Sequence, residues 1–323
     1  MTQRIMVTGA LGFIGRTIVA QLAAISGVEV LALTRQAPTN PVAGAKYLLS
    51  GDISEQTQWQ PLLAGVHVLI HTAARAHVLN DRAPDPLAEF RRINVAGTLR
   101  LAEQAAAMGV KRFVFLSSVG VHGMQSFPGK VFTEADKPRP HNAYAQSKLE
   151  AEQGLLRIAD ETSLEVVVIR PPLVYGPNAP GNFGALVRAV QRAWPLPLGA
   201  VHNQRSLVAL DNLVDFIITC TTHPLAANQT FLVSDGQDIS TTQLIRGMAQ
   251  AAGVSARLLP VPVPLLRAAA GLMDKTDVVD RLCGNLQVDI SKARNLLNWV
   301  PPLNFEEGLK RVLSPNEPVD VVI

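Results

Sequence analysis

Three glycines, Gly9, Gly12 and Gly15, constrain this chain more than any other feature. Ile5-Met6-Val7 before them is a short apolar run of strand type. Arg16 to Ala24 after them places Ile18, Val19, Leu22 and Ala23 on one helical face. The glycines therefore sit on a strand-to-helix turn. There Gly9 allows the tight bend, Gly12 lets a pyrophosphate approach the backbone, and Gly15 lets the helix pack closely on the strand. The helix N-terminus offers N–H groups and a partial positive charge to such an anion. An ordinary tight turn has the same look, so the remaining chain decides.

The strand–helix rhythm continues. Val28 to Leu33 is a second strand ending in Thr34-Arg35, with no acidic residue there of the kind that binds the ribose hydroxyls of NAD. Arg35 can instead face a 2′-phosphate, which leans the choice between NAD and NADP toward NADP. Tyr47-Leu48-Leu49 precedes Gly51-Asp52-Ile53, and Val66 to Ala74 is a fourth strand ending in small residues, as a cofactor lying across the sheet edge requires. The spacing predicts one long amphipathic helix over 86–108, mildly interrupted at Gly97 and carrying Asn94. Lys111 to Leu116 is a strand ending in Ser117-Ser118, a helix follows from about Ala143 to Ala159, and Val166 to Arg170 is a further strand. This alternation predicts an α/β fold, a Rossmann-type doubly wound parallel sheet. After Pro177 the rhythm breaks into short helices and single strands, predicting a small mixed C-terminal substrate lobe. The expected division is 1–177, with part of 200–235, for dinucleotide binding and 178–323 mainly for substrate. The apolar stretch Leu265 to Met273 is expected to pack within that lobe, with a partner-binding surface as the alternative.

Bulk properties exclude several classes. The 323 residues carry a formal charge of only +3 without a basic cluster, which argues against nucleic acid. Cys220 and Cys283 form no metal-binding pattern and are expected to be buried free thiols; no metal site is expected. The first strand begins by about Ile5, leaving no room for a signal peptide. Phe216 to Ser234 lacks charges, but His223, Pro224, Asn228 and Gln229 spoil a membrane span. A cytoplasmic protein is expected.

Tyr144 and Lys148 are four apart and share one helical face. An ammonium near a phenol is expected to favour the phenolate and lower its pKa. Ser118, ending the preceding strand, can bridge Tyr144 and a substrate oxygen. Together they make a proton donor or acceptor beside a hydride carrier. An isolated Tyr-x-x-x-Lys is usually a solvated helix face; its place after the glycine turn and a Ser-ended strand makes it informative.

On these residues the chain resembles the extended short-chain dehydrogenase/reductase family, in its nucleotide-sugar epimerase and reductase branch. The likeness takes in Thr8 to Gly15, Gly51-Asp52-Ile53, His71-Thr72-Ala73-Ala74, Asn94 to Thr98, Ser117-Ser118, Tyr144 to Lys148 and Arg170-Pro171. Later it includes Arg205 to Val208, Asp211-Asn212-Leu213, Ser291-Lys292-Ala293 and Leu297 to Pro301. The resemblance implies a cofactor, NAD or NADP, on Gly9, Gly12, Phe13, Ile14, Gly15, Arg35, Asp52, Ile53, Ala73, Ala74, Asn94, Ser117, Tyr144, Lys148 and Pro171. It implies catalysis by Ser118, Tyr144 and Lys148, and a nucleotide-diphosphate sugar, UDP-linked, on Arg75, Ser118, Tyr144, Asn182 and Arg205. It also implies a homodimer through the 86–108 helix and the Tyr144 helix.

Departures from the family pattern narrow the substrate. Relatives that eliminate water carry an Asp-Glu pair after the catalytic hydroxyl residue, and decarboxylating ones a Glu; here Val119 and Gly120 follow. Many 4-epimerases read Val-Tyr-Gly where this chain has Val121-His122-Gly123, and His122 is expected to be structural. Ala73 to Asp81 looks more like the branch that reduces UDP-4-keto-6-deoxy-N-acetylglucosamine for O-antigen synthesis, with Arg75 and His77 as sugar contacts or as a solvated loop edge. The expectation is therefore a 4-keto reductase, with a UDP-hexose 4-epimerase as the alternative. A reductase of hydrophobic ketones is disfavoured by Arg205 and the Leu297 to Pro301 ending, and a non-enzymatic cofactor sensor by retention of both Tyr144 and Lys148.

Overall fold

The computed structural model describes residues 2–76, 85–127, 129–273 and 276–313. The chain begins with β1 (Gln3–Thr8), α1 (Phe13–Ala23), β2 (Val28–Thr34), β3 (Ala45–Leu49), α2 (Gln60–Leu63) and β4 (Val68–His71). One continuous helical path follows as α3 (Pro86–Phe90), a π-helical turn (Arg91–Gly97) and α4 (Thr98–Ala107). Then come β5 (Arg112–Leu116), a 3₁₀ turn (Val119–Val121), α5 (Ala143–Glu161), β6 (Glu165–Arg170) and β7 (Leu173–Tyr175). The remainder is α6 (Gly181–Gln191), β8 (Arg205–Ala209), α7 (Leu210–Thr222), β9 (Gln229–Leu232), β10 (Asp238–Ile239), α8 (Thr241–Ala251), α9 (Val263–Gly271), α10 (Thr276–Cys283), α11 (Ser291–Leu297) and α12 (Phe305–Leu313).

Seven parallel strands form the main sheet in the order β3-β2-β1-β4-β5-β6-β9. Helices cover both faces, so strands such as Glu165-Val-Val-Val-Ile-Arg170 are apolar without alternation and almost wholly buried. The order reverses between β1 and β4. That switch point opens a crevice at their carboxyl ends, directly above Gly9 and Ala73. One core joins α1, through Ile18, Val19 and Leu22, to α7; the other joins the opposite sheet face to Trp59, Leu101, Ala151 and Leu155. A third cluster, including Tyr175, Phe183, Met248 and Phe305, sits under the three-stranded sheet β10-β8-β7.

The helix expected over 86–108 is there, but its centre is widened into the π turn. Asp85 starts it as an N-cap, accepting from Ala88 N–H at 3.0 Å, with Pro86 in the first turn. At Gly97 an added Cβ would lie 2.6 Å from Ile53 Cγ2, so only glycine lets this turn close on the segment after β3. Where α4 meets α5, a Cβ on Gly154 would strike Leu99 Cδ2 at 2.5 Å. The second of these contacts seats α5, which carries Tyr144 and Lys148, against α4. Helix α9 departs from expectation: Ala270 is buried, but Leu265 is 59% and Leu272 92% exposed. Only part of its apolar surface packs into the lobe.

Candidate active site

The glycine turn has the shape that its spacing predicts. Gly9 has φ +68, and a Cβ there would lie 2.8 Å from both Ala73 N and Thr72 Oγ1. A Cβ on Gly15 would lie 2.2 Å from Gly9 O, so α1 seats directly on the turn. Gly12 is the N-cap of α1 and brings no side-chain acceptor, and the first turn holds no acid. The helix N-terminus is therefore uncapped by side chains and open to an anion. Across the crevice, Ala73 N–H donates to Thr8 Oγ1 at 3.3 Å, and the Thr72 hydroxyl donates to Thr8 O at 2.7 Å. Behind them, buried His71 spans Thr8 Oγ1 (2.8 Å) and Thr98 Oγ1 (3.0 Å); burial drops its pKa to about 3, aided by the charge of Lys148. This cradle, narrow, backbone-lined and positive at one end, fits a dinucleotide pyrophosphate.

The adenosine end is less simple than expected. Arg35 lies 3.6 Å from Asp52, and both side chains are largely exposed. The residue read as a 2′-phosphate ligand thus has a carboxylate beside it, brought from the end of β3. Ile53 is half-buried, packed under Gly97.

Helix α5 is started by Asn142, whose side chain accepts from Ala145 N–H at 2.8 Å. Its buried face carries Lys148, whose Nζ sits 4.1 Å from the centroid of the Phe115 ring. Burial pulls this ammonium down to about 7, against the opposing effect of Glu152. Tyr144 behaves otherwise than the spacing suggests. Loss of water around the phenol pushes its pKa up to about 12. Sharing a helical face with Lys148 does not lower it here, because lost hydration is what sets the shift. Phe90 meets the Tyr144 ring edge-on at 6.1 Å, and the Arg75 guanidinium lies 5.4 Å over Phe90.

Ser118 ends β5 as the N-cap of the 3₁₀ turn, with Oγ accepting from Gly120 N–H at 3.1 Å. The turn is held from the other side by Val119 N–H, which donates to Pro171 O at 2.9 Å. Ser118 Oγ thus has a lone pair engaged and its own proton available to donate. Its neighbour Ser117 points the opposite way, into the core, where its hydroxyl donates to Glu152. Asn94 is also buried: Arg75 N–H donates to its Oδ1 at 2.7 Å, and its Nδ2 donates to Arg75 O at 3.1 Å and Ser147 Oγ at 3.0 Å. Both residues, expected at the cofactor, turn their side chains to structural partners. His122 is buried, hydrogen-bonded to Arg170 and stacked on Phe132.

In the C-terminal part, Arg205 Nη1 donates to Arg281 O (2.6 Å) and Gly284 O (3.1 Å), and burial lowers its pKa. Gly284 lines a cleft of about 430 Å³ together with Gln125, His202, Asn203, Arg267 and Cys283. Cys283 is only half-buried there, whereas Cys220 is fully buried as expected. His202, Asn203 and Gln125 have no motif around them and were not singled out by sequence. Asn182 lies exposed in the first turn of α6. His77, read as a sugar contact or a solvated loop edge, and the loop through Asp81 lie outside the described residues. Among the described residues no cluster of three or more His, Cys, Asp or Glu could hold a metal ion. Nor is any helix among them long and apolar enough to cross a membrane.

Residues 5–234 match the NAD dependent epimerase/dehydratase family, and the chain belongs to it. The UDP-glucose 4-epimerase of Vibrio cholerae is 44% identical over 312 residues, covering 96% of this chain and 94% of that protein. The dTDP-6-deoxy-L-talose 4-dehydrogenase (NAD(P)(+)) of Kitasatospora kifunensis is 29% identical over 320 residues, 96% and 94% of the two chains. Among solved structures, UDP-N-acetylglucosamine 4-epimerase from Bacillus cereus superposes with a TM-score of 0.78 at 20% identity, covering 100% of this chain and 99% of the other. That last likeness is one of fold. The chain is thus an enzyme of the extended short-chain dehydrogenase/reductase type, in a family whose members use NAD and include nucleotide-sugar epimerases and oxidoreductases.

Proposed function

We propose that this enzyme is a UDP-hexose 4-epimerase. The observation that carries the reading is the 44% identity to the Vibrio cholerae UDP-glucose 4-epimerase over nearly the full length of both chains. It reverses the order of preference drawn from sequence, where the 4-keto reductase stood first on the loop from Ala73 to Asp81, part of which lies outside the described residues.

Gly9, Gly12, Phe13, Ile14 and Gly15 would hold the pyrophosphate, Asp52 and Ile53 the adenine, and Ala73, Ala74 and Pro171 the walls of the crevice. Lys148 would bind the nicotinamide ribose. When bound, the nicotinamide supplies the chemistry of taking and returning a hydride at sugar C4. Tyr144, in its phenolate form, takes the proton from the 4-hydroxyl oxygen and as the phenol later returns it to the oxygen on the opposite face of C4. A phenol at about 12 is a weak acid. Ser118, whose proton is directed away from Gly120 N–H, donates to the same oxygen and spreads its developing charge. Lys148 supplies the positive charge that makes proton removal from Tyr144 easier once water is excluded. Arg205, braced on Arg281 O and Gly284 O, meets the diphosphate with the remainder of its five-donor fork, and Asn182 and Arg75 complete the substrate contacts. A homodimer through α3–α4 and α5, in the cytoplasm, belongs to the same reading.

The reductase is the second reading, favoured by Val121-His122-Gly123 in place of Val-Tyr-Gly. The two differ in whether the cofactor is recycled or consumed. Purified protein supplied with UDP-galactose and catalytic NAD is expected to yield UDP-glucose without net NADH. Stoichiometric oxidation of NADH or NADPH with a UDP-4-keto-6-deoxy sugar, and no interconversion of UDP-hexoses, would establish the reductase instead.

A further inference from the structure

Beneath the candidate site runs a buried polar chain that the reading above leaves without a role. Glu152 follows Lys148 by one helical turn on the buried face of α5. Its carboxylate takes three donors: the Ser117 hydroxyl and Arg170 Nε (3.0 Å) at Oε1, and Arg170 Nη2 (2.6 Å) at Oε2. Arg170 Nη1 lies 2.9 Å from His122 Nε2. A guanidinium only donates, so Nε2 is the acceptor and the imidazole proton sits on Nδ1, which is buried with no partner among the described residues. All four side chains are buried. Ser117 and Arg170 stand at the ends of β5 and β6, so the chain ties two central strands to the middle of the catalytic helix.

An ion pair this deep is a poor source of stability by itself, because desolvation offsets most of its attraction. A third charge gives it another role. Lys148 shares its helical face with Tyr144 and Glu152, its charge acts on His71 from β4, and its Nζ lies over the Phe115 ring of β5, with Arg170 on β6 paired to Glu152. His71 and His122 are held neutral by burial. Against the burial that works to discharge it, the charge that acts on Lys148 is that of Glu152, and Arg170 is paired directly with that carboxylate.

We propose that Glu152 is a positioning residue for Lys148: its carboxylate, fixed between Ser117 and Arg170, keeps the Lys148 ammonium charged in a site whose dryness works against it. Arg170 sets how much of that negative charge reaches the lysine. This rests on the reading that Lys148 binds the nicotinamide ribose. The consequence has opposite signs in two variants. Glu152→Gln removes the negative charge, so Lys148 loses its proton at lower pH. Arg170→Gln removes the competing cation, so Lys148 holds its proton to higher pH. A pair that only braced the fold would move both variants alike.

The test is the pH dependence of NADH binding to the purified chain, read by nicotinamide fluorescence with no sugar present. Affinity is expected to fall as Lys148 deprotonates. Relative to wild type, that fall should begin about one pH unit lower in Glu152→Gln and about one unit higher in Arg170→Gln. Since either change strands a buried charge, Ser117→Ala provides an arm that alters no charge. It takes one donor from the carboxylate and should move the fall upward by a smaller step. Shifts in the same direction in the two charge variants, or no upward shift in Ser117→Ala, overturn the proposal. Wild-type protein that binds no NADH would overturn the cofactor reading itself, a separate result.

Discussion

Asn94 Nδ2 stands 3.0 Å from Ser147 Oγ, and that hydroxyl donates to Tyr144 O at 2.7 Å. The same amide holds both backbone groups of Arg75. One side chain in the π turn thus joins the strip Ala73–Arg75, on the cofactor side, to the first turn of the catalytic helix. The π turn makes this possible, because its extra residue per turn swings Asn94 into the gap between β4 and α5.

Asn94→Ala should remove the bonds that Asn94 makes to Arg75 N–H and Arg75 O. Losing these buried bonds is expected to cost about 1–3 kcal/mol of stability. Turnover should fall at least about tenfold, since misplacement of site groups by a fraction of an ångström suffices for that. Thermal unfolding and steady-state kinetics check both, and a variant with normal Tm and normal kcat/KM would contradict the joining role.

The sheet was legible because its order follows from strand–helix alternation and from apolar runs such as Val166 to Ile169, which are local signals. The Tyr144–Lys148 relation was legible because helical spacing alone sets it. The π turn was not: it depends on Ile53 meeting Gly97 across forty-four positions of chain. Neither was the Ser117–Glu152–Arg170–His122 chain, whose members come from two strand ends, the middle of a helix and the end of a 3₁₀ turn. The rise in the Tyr144 pKa was missed for a related reason. Spacing reports which groups are neighbours, but only packing reports how much water each has lost.

Gly15 and Gly27 make a paired test of the cradle. An added Cβ at Gly15 would overlap Gly9 O at 2.2 Å, a backbone atom that cannot rotate aside. Gly15→Ala should push α1 off the turn and weaken NADH binding at least tenfold. Gly27, at φ +80, has nothing within 4 Å of a new Cβ. Gly27→Ala should cost about 1–2 kcal/mol of backbone strain and leave NADH affinity unchanged. Equal binding by both variants would show that the turn does not need its glycine.

Acid should destabilise the protein through two histidines. His71 and His122 titrate at about 3 and about 4 in the folded chain, against 6.5 when unfolded, mainly because burial disfavours their charged forms. Between those values the unfolded chain binds more protons, so stability falls as pH drops from about 6.5. The loss from His122 is complete near 4 and that from His71 near 3. Each proton contributes a slope of about 1.4 kcal/mol per pH unit. Urea unfolding of His71→Asn and His122→Phe between pH 6 and 4 should each give a slope shallower than wild type by up to that amount. Carboxylates titrate alike in wild type and His71→Asn and cancel in that comparison; in His122→Phe only Asp136, coupled to His122, changes its titration. Parallel slopes would mean that these imidazoles are protonated in the native state.

Arg35 and Asp52 bear on the choice of cofactor. At 3.6 Å, with both side chains in water, the carboxylate opposes any second anion that approaches the guanidinium. Two unit charges about 4 Å apart in water interact by about 1 kcal/mol, a factor of about five in affinity, less at high salt. Asp52→Asn should therefore raise the affinity for NADPH relative to NADH about fivefold at low ionic strength. Arg35→Ala in the same background should remove the gain. Measuring the ratio matters because Asp52 is also assigned to the adenine, which the two cofactors share. Loss of that contact weakens both equally, and only the charge acting on the 2′-phosphate changes their ratio. A ratio that stays constant in Asp52→Asn would mean that Arg35 does not meet the 2′ position, and the lean toward NADP drawn from it would fall with that result.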